Sequence, residues 1–320
     1  MNVLVTGASG YVGTQCVRAL HAARSTHAID TIIATDIRAR AQPPGVVFVP
    51  HDVRSDGLEA LCRTHAIDVV VHLASIVTPG AESTRALEYE VDVVGTERVL
   101  AACIAAGVRR IVVTSSGAAY GYHPDLPAWI DESVPIRGNE AFAYSWHKAL
   151  VEARLAAART THPALEQVVL RVGTIIGPTV DNQITALFER PRLLCIAGAA
   201  SPFTFIDEDD LAAILVRAVT GPVTGIFNVA GDSALAMREI AALLGKPTLT
   251  LPAWLLRAVL AVARPLGLTR YGPEQVDFLR YRPVLANRAL KERFGYTPRR
   301  TSRDAFLRWR ETRRGSPLGE

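Results

Sequence analysis

The chain opens on an apolar run, Val3, Leu4 and Val5, followed at once by Gly7, Ala8, Ser9, Gly10, Tyr11, Val12 and Gly13. No other stretch restricts the fold as much. Glycines at this spacing, after a short buried strand and at the start of a helix, answer separate steric needs. One makes the tight turn, a second lets the backbone approach a pyrophosphate, and a third lets the helix lie close against the strand. The new helix presents unpaired N–H groups and its positive dipole end to the anion. The residues therefore read as a phosphate-binding turn for a dinucleotide, with Gly7, Ser9, Gly10, Tyr11, Val12 and Gly13 against the cofactor.

Short apolar runs alternate with helical patterns through the first half, at residues 3–5, 31–35, 46–49, 69–73, 111–114 and 168–170. Strands that alternate with helices form a parallel sheet covered on both faces. The intervening helices are expected at 11–24, 85–106 and 142–159, with Gly107 placed to end the second in a left-handed cap. This predicts an α/β fold, a doubly wound parallel sheet of the Rossmann type with a smaller C-terminal substrate lobe. Residues 1–173 form the dinucleotide-binding domain, which also receives roughly 203–229, and 174–320 mostly form the substrate lobe. Beyond Gly173 the alternation breaks into shorter elements punctuated by Gly177, Pro178, Gly198, Gly221, Pro222 and Gly231.

Composition narrows the class. In 320 residues, 49% hydrophobic, there is enough apolar surface for one large core with an appended lobe. The net charge of +4 is small, and much of the excess sits near the C-terminus, at Arg299, Arg300, Arg303, Arg308, Arg310, Arg313 and Arg314. A solvated basic helix accounts for it better than a nucleic-acid surface does. Cys16, Cys62, Cys103 and Cys195 are widely spaced with no histidine cluster nearby, which suggests neither a metal site nor a disulfide framework. The chain begins directly in a strand and has no apolar run of membrane-spanning length, so a cytoplasmic protein with no membrane span is expected.

Two groups of residues carry chemistry. Asp36 follows the second strand, where a carboxylate accepts hydrogen bonds from adenosine ribose hydroxyls. That favours NAD over NADP, although Arg38 and Arg40 stand close by and Asp36 also suits a turn after a strand. Tyr144 and Lys148 are four apart in a helix and share a face. A phenol beside an ammonium is drawn toward a useful acid/base range, because the positive charge favours the phenolate. Upstream, Thr114, Ser115 and Ser116 end a predicted parallel strand, which is where doubly wound folds place their ligands.

Taken together, these residues resemble the extended short-chain dehydrogenase/reductases, the NAD-dependent epimerase/dehydratase family. The resemblance runs over nearly the whole chain. Besides the glycine turn it includes His51-Asp52-Val53, Asp68 with Val71-His72-Leu73-Ala74, Gly95-Thr96, Ser115-Ser116 with Tyr120-Gly121, Tyr144 with Lys148, Leu170-Arg171 with Gly177-Pro178, and Asp210-Leu211-Ala212. It implies that Tyr144 is the general acid/base, that Lys148 tunes it and holds the nicotinamide ribose, and that Ser116, rather than Ser115, bonds the substrate oxygen. It further implies cofactor contacts from Asp36, Ile37, Arg38, Asp52, Val53, Leu73, Ala74, Ser75, Thr114 and Arg171. A homodimer through the long helices at 85–106 and 142–159 is implied as well.

The chain also departs from the nucleotide-sugar members. Thr174 stands where they usually carry Asn, and Phe203 where a basic residue grips the diphosphate; an apolar ring supplies no charge-assisted bond to phosphate. Asp92 replaces a common Asn. The segment 252–263 is apolar almost all round and calls for burial, and it resembles the lobe of hydroxysteroid-dehydrogenase-like and dihydroflavonol-reductase-like members. It suits a cover over a lipophilic substrate, lobe packing or a membrane-surface helix. His147 reads as a helix-surface or dimer-face residue, and the loop 123–129 as substrate-facing or as packed surface. The expected activity is hydride transfer between NAD and a secondary alcohol or ketone of a largely apolar small molecule. The alternatives are a nucleotide-sugar epimerase or dehydratase that recycles its NAD internally, and a non-catalytic dinucleotide sensor.

Overall fold

In a computed structural model, residues 1–78, 80, 82–269 and 272–315 are described. The main sheet has seven parallel strands in the order β10-β6-β5-β4-β1-β2-β3. These are β1 (Asn2–Thr6), β2 (Thr31–Asp36), β3 (Val46–Pro50), β4 (Val69–His72), β5 (Arg110–Ser116), β6 (Glu166–Val172) and β10 (Gly225–Val229). Each of the six strand runs expected from the sequence coincides with one of these strands, Leu73 alone falling one residue past the end of β4. Order reverses at β1, which pairs with β2 on one side and β4 on the other. A crevice opens at the carboxyl ends of strands at such a switch point.

Side-chain alternation sends Val3 and Val5 to one face of the sheet and Leu4 to the other. On the first face pack α1 (Tyr11–Ala22) and α8 (Glu208–Thr220), while the short α2 (Arg24–His27) follows α1 with none of its residues buried. On the second pack α3 (Leu58–Thr64), α5 (Gly95–Ala106) and α6 (Ala143–Thr161). The helix expected over 85–106 is interrupted: α4 (Arg85–Tyr89) runs into a π-helical turn, Glu90–Val94, before α5 continues. One extra residue per turn rotates Asp92 toward the sheet, and such insertions often mark functional sites. Gly95 permits the close approach, since a Cβ there would meet Val53 Cγ2 at 2.9 Å.

Helix α12 (Arg288–Glu292) packs on β10 of the main sheet, and the lobe contains β7 (Thr174–Ile176) paired with β9 (Phe205–Asp207), β8 (Leu193–Ile196) paired with β11 (Thr248–Leu251), and the helices α7 (Gln183–Glu189), α9 (Met237–Leu244), α10 (Ala253–Ala263), α11 (Gln275–Arg280) and α13 (Ser302–Gly315). Its core is aromatic, built on Phe188, Phe203, Phe205, Phe306 and Trp309. The chain leaves the sheet after β6 and comes back through α8 and β10, which pairs with β6. Three of the C-terminal arginines are ion-paired: Arg300 and Arg308 with Asp207 and Asp209, and Arg313 with Glu189. No described helix is long and apolar enough to cross a membrane.

The expectation that 252–263 is buried is not met. No residue of α10 is buried, and Trp254, Val259 and Val262 are 70%, 51% and 62% exposed. Leu256 and Leu260 instead line a cavity of ≈ 250 Å³ together with Leu187, Met237 and Phe278. The loop 123–129 is a mostly exposed surface segment, none of it on the wall of the cavity that Tyr144 and Lys148 line, tied by an Asp125–Arg137 ion pair at 2.8 Å and with Trp129 51% exposed.

Candidate active site

At the end of β1, Gly7 takes a left-handed φ of +67°. A Cβ on it would meet Ala74 N at 2.5 Å, and a Cβ on Gly13 would meet Gly7 O at 2.1 Å, so both positions demand glycine. Gly10 is different: a Cβ there would touch only Gly7 O, at 3.2 Å, which leaves the outer face of the turn bare. The first turn of α1 has no side-chain cap and no acidic residue. Its N–H groups and positive dipole end therefore face the crevice uncompensated, as an incoming pyrophosphate requires.

Asp36 closes β2 beside this turn, its carboxylate accepting from Ser9 N at 3.1 Å and Arg38 N at 3.2 Å. Arg40 donates to Ser9 O at 3.2 Å and Thr14 Oγ1 at 3.4 Å, bracing the turn. Ile37 is 63% exposed next to Asp36, an apolar side chain held in the open. Asp52 is ion-paired with Arg54 at 2.6 Å, a partner that lies outside the expected cofactor set. The Arg54 hydrogen bond holds its carboxyl below the usual carboxylate range. Tyr11 turns its hydroxyl to Glu208 and, at 3.1 Å, to Thr179.

Thr114, Ser115 and Ser116 end β5 at a cavity of ≈ 240 Å³ that Leu73, Ser75, Tyr144 and Lys148 also line. Ser115 Oγ donates to Glu152 Oε1 at 2.5 Å, deep in the core. Ser116 Oγ accepts from Ala118 N at 3.1 Å, which leaves its own proton available to the cavity. Lys148, buried, donates to Thr114 O at 3.2 Å and stands 5.7 Å from the Tyr144 ring centroid.

Behind this set lies a polar layer. His72 is sealed between Thr6 Oγ1 at 2.8 Å and Thr96 Oγ1 at 3.0 Å, and burial, with the Lys148 charge adding, pushes it down to about 3. Asp92 accepts from Ile76 N at 3.0 Å and lies 3.6 Å from His147 Nδ1. Burial works against its charge, but His147, the Lys148 ammonium, Ser75 and the Ile76 N–H outweigh that and hold the carboxyl below its usual range. His147 is thus neither a surface nor a dimer-face residue: it is 1% exposed and packs edge-on against Tyr89 at 5.7 Å. The π turn carries Asp92 over it, and the last residue of α4 supplies Tyr89.

Arg171 does not join the cofactor crevice as expected. Its Nη2 donates to Glu152 Oε2 at 2.7 Å, its Nε to both Glu152 oxygens, and its Nη1 to Tyr120 OH at 2.7 Å. A buried guanidinium needs acceptors, and the nearest lie behind β5 rather than in front of it. Thr174 lines the cavity, while Phe203 is 2% exposed and stacks on Phe205 at 5.4 Å.

Sequence reasoning does not single out Arg282. It follows α11 and enters the cavity wall from the lobe, where Tyr122, Phe142 and Phe278 form an aromatic cluster with ring centroids 5.2–5.7 Å apart. Nothing local marks it, because its neighbours arrive from distant segments. Among the described residues no group of three or more His, Cys, Asp or Glu could hold a metal ion.

A doubly wound sheet with a glycine turn at its switch point defines a dinucleotide-dependent class. The model of the NAD dependent epimerase/dehydratase family matches residues 3–230, and the chain belongs to that family of enzymes. An uncharacterized protein of Mycobacterium tuberculosis (strain ATCC 25618 / H37Rv) is 26% identical over 311 residues, which is 95% of this chain and 82% of the relative. The UDP-glucose 4-epimerase of Azospirillum brasilense is 33% identical over 179 residues, 55% of this chain and 49% of its own. Among solved structures, that of the Thermus thermophilus UDP-glucose 4-epimerase in complex with NAD shares the fold with a TM-score of 0.74 at 25% identity, covering 99% of this chain and 100% of that one.

Proposed function

We propose that the protein is an oxidoreductase that transfers hydride between NAD and a secondary alcohol or ketone carbon of a small, largely apolar molecule. The observation that carries this reading is the convergence of Ser116, Tyr144 and Lys148 on one cavity whose opposite wall is the aromatic side of the lobe. NAD, when bound, supplies the hydride acceptor or donor. The uncapped start of α1 and the bare face of Gly10 would hold its pyrophosphate, Asp36 the adenosine ribose, and Ile37 and Val53 the adenine side. Leu73, Ala74, Ser75 and Thr114 lie along the route from that turn to the cavity.

Ser116 donates its free proton to the substrate oxygen, and Tyr144 gives or takes the proton that leaves or arrives there. Lys148, fixed by the Thr114 carbonyl, would hold the nicotinamide ribose and keeps a positive charge beside the phenol. Residues 1–173 with 203–229 would act as the cofactor body and the rest of 174–320 as the substrate lobe. A dimer through the outer faces of α5 and α6, which lie side by side, fits this reading and is tested by the sedimenting mass.

The test is NADH-dependent reduction of a ketone panel by the wild-type protein and by Tyr144→Phe, with NADH binding measured in parallel. The variant should lose at least about a hundredfold in turnover while binding NADH as before. Activity within about tenfold of wild type would remove Tyr144 from the chemistry. A second reading, a nucleotide-sugar epimerase or dehydratase, is favoured by the named activities of the Azospirillum and Thermus relatives. Purified protein that retains stoichiometric NAD and does not exchange it would support that reading; rapid exchange would support the first.

A further inference from the structure

Two charged side chains line the main cavity among the described residues, Lys148 and Arg282, and no carboxylate does. Lys148 has its carbonyl acceptor. Arg282 has none: its residue is 9% exposed, and Nε, Nη1 and Nη2 all lack a hydrogen-bond partner. What it touches is aromatic, with Cζ 3.6 Å from the Phe203 centroid and 4.6 Å from that of Phe278. Such contacts stabilise a guanidinium less than its removal from water costs. The rings also leave the N–H groups, which lie in the guanidinium plane, without acceptors. The contrast with Arg171 is direct, because an equally buried arginine in this chain is matched by both oxygens of Glu152.

We propose that the substrate carries a carboxylate and that Arg282 receives it in the cavity holding Tyr144, an assignment that rests on the hydride-transfer reading of that cavity. A flat fork of N–H donors matches the two coplanar oxygens of a carboxylate. One guanidinium balances one negative charge. A nucleoside diphosphate would set a second negative charge against the rings of Phe203, Phe278 and Phe142, since the other cation of the cavity, Lys148, is held by Thr114 O beside Tyr144. A second cavity shares Phe142 and Phe278 with the first and offers Leu187, Leu256 and Leu260 to an apolar body, with Arg190 and Arg192 also on its wall. The chemistry implied is a keto or hydroxy acid on a hydrocarbon frame, with its carbonyl toward Ser116 and Tyr144.

The test titrates the NADH-bound protein with octanoate, methyl octanoate, octyl phosphate and uridine diphosphate, following NADH fluorescence and heat. Octanoate should bind at least about tenfold tighter than its ester and tighter than either phosphate. Arg282→Met should erase that preference while NADH affinity stays within about twofold of wild type, and Arg282→Lys should keep part of it. Equal binding of acid and ester, or binding of neither, overturns the assignment. So does tighter binding of octyl phosphate or uridine diphosphate that is lost in Arg282→Met. If Arg282→Met fails to fold, Arg282→Lys carries the assignment: it should narrow the acid-over-ester ratio at unchanged NADH affinity, and an unchanged ratio would give the anion to Lys148 and overturn the proposal. The two readings also fail separately. A carboxylate preference with turnover that survives Tyr144→Phe sinks the reaction, and turnover that needs Tyr144 without the preference sinks the anion site.

Discussion

Ser115 Oγ donates to Glu152 Oε1 at 2.5 Å, and this bond turns one of two adjacent serines away from the cavity that the other faces. Ser116→Ala should therefore lower kcat/KM by about a hundredfold or more, the scale of a lost hydrogen bond to a developing charge. Ser115→Ala should leave kcat/KM within about fivefold and cost about 1–2 kcal/mol of stability instead, since it strips a buried carboxylate of a donor. Steady-state kinetics and urea melts of the two variants decide the matter; the reverse ordering would reassign the hydroxyl.

Gly10 and Gly13 should respond differently to the same methyl group. At Gly13 the added Cβ meets backbone at 2.1 Å, with no flexible atom to yield, so Gly13→Ala should destabilise the fold as well as the turn. At Gly10 the Cβ finds 3.2 Å to one carbonyl and otherwise open space. Gly10→Ala should fold normally and bind NAD at least about tenfold more weakly, because the methyl group stands where the pyrophosphate must come. Normal NAD affinity in Gly10→Ala would place the phosphates elsewhere.

Glu152 and Arg171 form a buried pair at 2.7 Å, each 6% exposed at the side chain. Removing one partner leaves the other charged and without water, so Glu152→Leu should cost about 3–5 kcal/mol in denaturant unfolding. The double variant Glu152→Leu with Arg171→Met should recover part of that loss. A single variant within about 1 kcal/mol of wild type would show the network to be dispensable.

The buried imidazole of His72 makes stability depend on acid. Its folded value of about 3 lies below the ordinary 6.5, so the unfolded chain takes up a proton that the folded chain refuses. The contribution is complete above the ordinary value and is lost as pH falls from about 6.5 toward about 3, at up to roughly 1.4 kcal/mol per pH unit. His72→Gln should be less stable at neutral pH and show a shallower acid slope over that window. Identical slopes for the two proteins would assign the acid sensitivity to other groups.

The part of this protein that its sequence determined alone is the part built by contacts near in the chain. The glycine turn is legible because each glycine answers to a backbone atom within the same strand-turn-helix unit, apart from the Gly7 contact with Ala74. The parallel sheet is legible because apolar runs recur at the period of alternating strands and helices, and Tyr144 with Lys148 because helical spacing alone aligns them. Tertiary structure decided everything that depends on partners far apart in sequence. Arg171 and Arg282 are both lobe-side or sheet-side arginines without a distinguishing local pattern; one meets Glu152 and Tyr120, the other meets only rings. His147 became a buried neighbour of Asp92 because a π turn, for which the helical pattern holds no signal, rotated the facing helix. The apolar segment 252–263 remained largely exposed because the lobe core closed around Phe188, Phe203 and Trp309 without it. Hydrophobic period sets which face of an element seeks burial; only the assembled chain sets whether a neighbour arrives to provide it.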